Sequence, residues 1–193
     1  APFYQGAQAQ NIVRAVTGAV DNPGKISLSD LKNYRVIERQ PVCAPYREYE
    51  VCGMGAPSSG AIALGEILGI LQNQDMKALG AENIHSWRWI GDASRIAFAD
   101  RDHYIGDPAF VNVPTRALIS QAYLKPRAEE IRQADKALEN IQAGKFGKKY
   151  AQGMAVELPS TSHLVVVDKD GNVVSMTTSI ENAFGSGLMA NGY

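Results

Sequence analysis

The chain has 193 residues, 45% of them hydrophobic and 20% charged, with a formal net charge of −1. That is ordinary globular composition, enough for one domain with a substantial core or for part of a larger one. The near-zero charge removes any global field favouring nucleic acid or anionic membrane, and no apolar run approaches the ~20 residues that span a bilayer.

The chain opens Ala1-Pro2-Phe3, without an initiator Met or a signal peptide, and stops at Tyr193 just after a Gly-rich stretch. Both ends read as cuts, so a fragment or processed piece is expected. Residues 6–19 have helical composition, with Ile12, Val13 and Val16 on one face. Ser27-Leu28-Ser29-Asp30 resembles a capping box and predicts a short helix.

Residues 35–43 and 49–54 read as the two strands of a hairpin turning at Arg47-Glu48. In that register Tyr46 faces Tyr49, Pro45 faces Glu50, Ala44 faces Val51 and Cys43 faces Cys52. Pro45, which has no N–H, then falls at a non-hydrogen-bonded site. Cys43 and Cys52 fall at the same kind of site, with Cα atoms about 4.5 Å apart, just within disulfide range. A Cys43–Cys52 disulfide would imply an oxidising compartment, periplasmic or extracellular. The alternative is a pair of reduced, half-buried thiols. No His or further Cys lies nearby to complete a metal site, so no metal is expected.

Ala56-Pro57-Ser58-Ser59-Gly60 is a loop with a ready N-cap serine. It leads into a helix with Leu64, Ile67, Leu68 and Leu71 at the spacing of a buried stripe. Asn83 or Ser86 starts the next long helix, with Trp87, Ile90, Ser94, Ala97 and Phe98 along one side, broken at Gly106-Asp107-Pro108. Short helices follow from Thr115 to Tyr123 and from Pro126 to about Leu138. Residues 139–158 carry no clear periodicity and read as an exposed, mobile linker. A strand at 164–168, a turn at Asp170-Gly171 and a strand at 173–179 close the pattern. Leu164-Val165-Val166-Val167 is apolar on both faces, which predicts a strand covered on both sides inside an α/β sandwich.

The segment Pro159-Ser160-Thr161-Ser162-His163 puts a hydroxyl-rich cluster at the mouth of that strand. Read alone, Thr161 is a strand-entry hydroxyl and His163 a structural hydrogen-bonding residue. Asp168-Lys169-Asp170-Gly171-Asn172 has a superficial likeness to a calcium loop but lacks the remaining ligands and the distal Glu, so a hairpin turn is expected. Asp100 and Asp102 sit two apart on a helix and do not face each other, which favours a structural role at the helix end. Ser58 and Ser59 have no evident base and are explained by helix capping. Lys145, Lys148 and Lys149 read as part of a solvated linker.

Taken together, Pro57-Ser58-Ser59-Gly60, the run Phe98-Ala99-Asp100-Arg101-Asp102-His103-Tyr104-Ile105-Gly106-Asp107-Pro108, Phe110-Val111-Asn112-Val113-Pro114, Thr161-Ser162-His163 with its Val-Val-Asp-Lys-Asp-Gly-Asn sequel, and Phe184-Gly185-Ser186-Gly187 resemble the gamma-glutamyltranspeptidase family. The resemblance runs in order along essentially the whole chain. It implies the αββα sandwich of the N-terminal nucleophile hydrolases. It also implies a proprotein that cuts itself between Ser160 and Thr161. Residues 1–160 would then belong to the large-subunit region and 161–193 would begin the small subunit, the two parts of the proprotein forming a heterodimer. The freed Thr161 would attack the γ-amide of glutathione-like substrates, with its own α-amino group as base and no cofactor. Ser179 matches the family's threonine that hydrogen-bonds the nucleophile. Glu181 stands where the main branch has an Asn that holds the substrate's amino acid end. A carboxylate there would repel an α-carboxylate and attract an ammonium. In the family's pattern the arginine that grips the α-carboxylate precedes Ala1. The glutamine, aspartate, paired serines and oxyanion-hole glycines follow Tyr193. The isolated chain is therefore expected to be inactive. Other readings are a related acylase acting on a dicarboxylic side chain, and a catalytically silent domain kept for binding or assembly.

Overall fold

The computed structural model describes residues 3–147, 150, 161–180 and 185–191. In chain order the elements are α1 (Ala7–Thr17), α2 (Leu28–Asn33), β1 (Val42–Tyr46), β2 (Tyr49–Gly53), α3 (Gly60–Leu71), α4 (Met76–Leu79), α5 (Ile84–Tyr104), α6 (Thr115–Leu118), α7 (Gln121–Gln133), β3 (Thr161–Val167) and β4 (Val173–Ser179). The chain is thus α/β, and it divides into two compact units. One is drawn from Ala1–Ile37 and Val156–Tyr193, the other from Glu38–Ala155.

In the 38–155 unit, β1 and β2 pair antiparallel in the register expected from the sequence, from Val42 opposite Gly53 to Tyr46 opposite Tyr49. Arg47 turns the chain with φ 54°. Cys43 and Cys52 are joined by a disulfide. Residues 35–41 are not strand, contrary to expectation. Val36 and Ile37 are exposed, and among the described residues no strand pairs with them.

Three helices enclose the core. Ile70, Leu71, Trp89, Ala93, Ile96, Leu124, Ala128 and Ile131 are buried together, each large side chain contributing about 1.5–3 kcal/mol. Close approach is made possible by two glycines of α3. A Cβ on Gly65 would lie 2.9 Å from the Ala44 Cβ, and one on Gly69 would lie 2.3 Å from Leu124 Cδ1. The buried face of α3 is Ile62, Ala63, Gly65, Glu66, Gly69, Ile70 and Leu71, so the expected Leu64–Ile67–Leu68–Leu71 stripe is rotated and Leu64 is exposed. Similarly, α5 buries Trp89, Ala93, Ile96, Ala97 and Tyr104, while Trp87 and Phe98 face outward. Both helices are apolar or small around most of their circumference, so periodicity alone chose the wrong edge. Pro126 lies inside α7 and does not start a helix. Near the amino-terminal end of α7 the ring removes only the bond to the Ala122 carbonyl, and packing of Leu124, Ala128 and Ile131 outweighs that loss.

Residues 139–147 have no regular structure, as expected, but they are tied to the core and are not a loose exposed tether. Ile141 and Phe146 pack against the two buried clusters, and the Gly144 N–H is bonded to Asp100. The remainder of the 139–158 segment, apart from Tyr150, lies outside the described residues.

In the other unit, Gly6 precedes α1, and Ser27 and Asp30 form a reciprocal capping box on α2. β3 and β4 pair antiparallel, from Thr161 opposite Ser179 to Val167 opposite Val173. Every residue of β3 and β4 is exposed, so the described residues do not supply the cover expected on both faces of this strand. A two-stranded ribbon cannot cover its own faces, and the described residues form two separate two-stranded sheets.

Candidate functional site

Thr161 is the first residue of β3 and Ser179 the last of β4, and they stand directly opposite each other. Partners across an antiparallel pair share a face, so Thr161, His163, Ser175, Thr177 and Ser179 line one side of the ribbon. His163 is held there by two hydroxyls. Its Nδ1 lies 2.8 Å from Thr177 Oγ1 and its Nε2 lies 3.2 Å from Ser175 Oγ. Both ring nitrogens are therefore occupied, as a structural role requires. Thr161 is two residues away along the same strand, about 6.6–6.8 Å in rise, while both ring nitrogens are engaged with Thr177 and Ser175. Ser160 and Glu181 lie outside the described residues.

The ribbon's far end is closed by the Asp168–Asn172 turn. Asp168 Oδ1 accepts the Asp170 and Asn172 N–H groups, both at 2.9 Å, and Oδ2 accepts from the Asn172 side-chain amide at 2.8 Å. These bonds, those from Asn172 first, hold the Asp168 carboxyl below the usual range. Gly171 takes φ 83°, a conformation that suits glycine. The Asp-x-Asp-Gly-Asn run thus uses its oxygens to close its own turn, as the sequence suggested.

In the 38–155 unit, Arg101 near the end of α5 donates through Nε to Ser59 Oγ at 3.1 Å and pairs with Asp102 at 3.3 Å. Ser59 occupies the N-cap position of α3 but makes no side-chain cap, so its expected capping role is replaced by this bond to Arg101. Ser58 Oγ accepts weakly from the Gly60 N–H at 3.5 Å.

The gamma-glutamyltranspeptidase family model matches residues 1–193, the whole chain. The chain belongs to the gamma-glutamyltranspeptidase family. The glutathione hydrolase proenzyme of Escherichia coli (strain K12) is 39% identical over 189 residues, covering 97% of this chain and 31% of that relative. The acylase ACY 1 proenzyme of Pseudomonas sp. (strain V22) is 38% identical over 180 residues, covering 89% of this chain and 30% of that one. Among solved structures, the Helicobacter pylori gamma-glutamyltranspeptidase superposes with a TM-score of 0.67 at 38% identity, over 74% of this chain and 40% of that one. The chain thus spans about a third of the length of these curated relatives.

Two stretches that carry the gamma-glutamyltranspeptidase likeness, the 57–60 loop and the 98–108 run, meet through the Ser59–Arg101 bond. Within the second run, Asp100 and Asp102 have separate partners. Asp100 is fully buried; its Oδ2 accepts from the Tyr123 hydroxyl at 2.5 Å and its Oδ1 from the Gly144 N–H at 2.6 Å. Asp102 points elsewhere, toward Arg101, so the two carboxylates do not form a catalytic pair. In the Phe184-Gly185-Ser186-Gly187 stretch, Gly185 and Gly187 both take positive φ, 57° and 69°.

Glu66 escaped the sequence reading altogether. It lies on the buried face of α3 at 1% exposure, and its Oε2 has no hydrogen-bond partner. Burial, and next the charge of Asp100, push its carboxyl up to about 11, while Arg127 pulls the other way. Burial and the bond to Asp100 likewise raise the Tyr123 hydroxyl above its ordinary range. The one available signal was a lone acid inside the apolar run Ala61-Ile62-Ala63-Leu64-Gly65-Glu66-Ile67-Leu68. The cluster formed by Cys43, Glu50 and Cys52 offers no thiolate for a metal, because both sulfurs are in the disulfide.

Proposed function

We propose that this chain is part of an enzyme that transfers or hydrolyses γ-glutamyl groups from amides such as glutathione, with Thr161 as its nucleophile. The observation that carries this reading is the placement of Thr161 at the open end of β3, opposite Ser179. Family membership over the whole chain and the glutathione hydrolase proenzyme relatives support it. In self-cleavage the Thr161 hydroxyl attacks the Ser160 carbonyl carbon. The Ser160–Thr161 C–N bond breaks, leaving an ester on the threonine oxygen and a free α-amino group. Water then opens the ester, releasing a carboxylate at Ser160 and restoring the hydroxyl. That α-amino group, with a reference pKa of about 7.7–8.0, is the base for turnover. It takes the hydroxyl proton as the oxygen attacks the γ-carbonyl and returns it to the leaving amine. Ser179, across the ribbon, is placed to hydrogen-bond the nucleophile. Glu181, two residues on, would bias the substrate's amino acid end toward an ammonium group.

In this reading residues 1–160 form the end of the large subunit and 161–193 the start of the small subunit of one proprotein. The ribbon's exposed apolar faces, Leu164, Val166, Val174 and Met176 on one side and Val165, Val167 and Val173 on the other, are covered in an αββα sandwich by the rest of it. The isolated chain is inactive, because positioning by the opposite wall of a site contributes much of the rate. The Cys43–Cys52 disulfide supports a periplasmic or secreted location. No cofactor takes part.

An acylase acting on a dicarboxylic side chain is the second reading, favoured by the acylase relative at 38% identity. A silent binding or assembly domain is the third. Mass spectrometry of the natural polypeptide separates them. Two pieces, one beginning at Thr161, with γ-glutamyl amide turnover, support the first reading. The same pieces with turnover of acyl amides alone support the second, and a chain that stays intact supports the third.

A further inference from the structure

The Cys43–Cys52 bridge lies on the outward face of the β1–β2 hairpin. Side chains alternate along a strand. Ala44, between Cys43 and Pro45, is buried against α3, where its Cβ would stand 2.9 Å from a Cβ placed on Gly65. Cys43 and Pro45 therefore turn the other way, and their cross-strand partners Cys52 and Glu50 share that outward face. Pro45, Glu50 and Cys52 are exposed, and Cys43 is half-buried. Neither cysteine belongs to the two buried clusters of this unit. A small molecule can thus reach Cys52 Sγ without the core opening.

The charge at this spot is equally specific. A carboxylate oxygen of Glu50 and the two sulfurs lie within 4.8 Å of one another. The hairpin's one basic residue, Arg47, lies over the Tyr46 ring, 5.2 Å from its centre. Tyr46 alternates onto the face of Ala44, so that cation is turned away from the bridge. The hairpin's own charge beside the sulfurs is therefore negative.

We propose that the Cys43–Cys52 bridge is a thiol-exchange site of the folded chain, opened by attack on Cys52 and selective, through Glu50, for small thiols that carry a cation over those that carry a further anion. The thiolate of a low-molecular-weight thiol attacks Cys52 Sγ, the more exposed sulfur. The Cys43–Cys52 bond breaks, and its electron pair leaves on Cys43 Sγ, which takes a proton from water. A second thiolate then attacks the small-molecule sulfur of the mixed disulfide and releases Cys52 as a thiolate, which is protonated in turn. The bridge gains two electrons and two protons, and two small thiols are oxidised to their disulfide. Glu50 repels the negative charge of each incoming thiolate, more strongly when the thiol carries a second anion and less when it carries an ammonium group. This inference does not depend on the role of Thr161.

The test compares cysteamine with 2-mercaptoethanesulfonate as reductant of the folded natural polypeptide at pH 8 and low salt, without denaturant. Each rate is normalised to that of the same thiol with hydroxyethyl disulfide, which removes differences in thiol reactivity. Reduction is read by maleimide labelling of the peptides that hold Cys43 and Cys52, and the fold by tryptophan fluorescence. Both cysteines are expected to take label while the fluorescence stays constant, with cysteamine faster by roughly three- to tenfold. Glu50→Gln, or 1 M salt on the wild type, should bring that ratio close to one. In acid-quenched samples the mixed disulfide should sit on Cys52, with Cys43 free. Labelling only at urea concentrations that unfold the chain would overturn exchange in the folded state. A ratio unmoved by Glu50→Gln, or by salt should that variant not fold, would overturn the selectivity. A mixed disulfide on Cys43 would overturn the point of attack.

Discussion

The guanidinium of Arg101 reaches from the last turn of α5 to Ser59, the residue before α3, and donates to its hydroxyl at 3.1 Å. The bond joins the Ser-Ser-Gly loop to the Ala-Asp-Arg run, 42 positions apart, each supplying half of one contact. It also gives Ser59 an occupation other than catalysis. Ser59→Ala is expected to cost about 1 kcal/mol in urea unfolding and to leave self-cleavage of the natural polypeptide intact. Arg101→Ala is expected to cost about 2–3 kcal/mol, because it removes a charged donor and the guanidinium that lies 5.2 Å from the centre of the Phe98 ring. Loss of processing in a folded Ser59→Ala protein would return Ser59 to the list of nucleophile candidates.

The Cys43–Cys52 bridge closes a short loop across the β1–β2 hairpin, a sequence separation of 9. Chain entropy for a loop that small gives roughly 2–3 kcal/mol. Cys43→Ala with Cys52→Ala should lower the stability of the 38–155 unit by that amount and leave the α3–α5–α7 core folded, as read by circular dichroism during urea unfolding. A loss beyond about 5 kcal/mol would mean that the hairpin organises the core, contrary to its place on one face of α3.

This hairpin shows what a sequence yields most readily. Its register followed from one turn position and the need to keep Pro45 off the hydrogen-bonding ladder, and all four expected pairs are found. Helix starts were also legible where a capping side chain marks them, as at Ser27 and Asn83. The buried faces of α3 and α5 were not legible. Apolar and small residues nearly surround both helices, and the choice of face is made by Gly65 and Gly69 admitting their neighbours. Glu66 was hidden for the same reason, since it lies on the face that α3 buries. Thr161 and Ser179 were legible only through the family resemblance; the residues alone gave a strand-entry hydroxyl.

The Asp168 turn supplies a pH dependence. Bonds from Asn172 hold its carboxyl below the usual range, so its contribution is present above about pH 3.9 and is lost as pH falls through the folded value. Proton NMR of the Asp170 and Asn172 amides from pH 5 to 2 should show both moving upfield together as the carboxyl protonates. Amides that do not respond would mean that Asp168 does not close the turn.

His163 is held by Ser175 and Thr177, and neither of its nitrogens is directed to Thr161. His163→Leu should therefore slow self-cleavage of the natural polypeptide by no more than about tenfold, since loss of a general base is worth 10²–10⁴. A larger fall, in a variant that still folds, would make His163 a proton carrier.

The central claim is that Thr161 is the nucleophile. The most direct test is intact-mass and amino-terminal analysis of the natural polypeptide carrying Thr161→Ala, beside the wild type and Thr161→Ser. The account predicts two pieces in the wild type, one of them beginning at Thr161. It predicts slower but complete processing in Thr161→Ser, and a single uncut, inactive chain in Thr161→Ala. A Thr161→Ala polypeptide that still separates between positions 160 and 161 would contradict it.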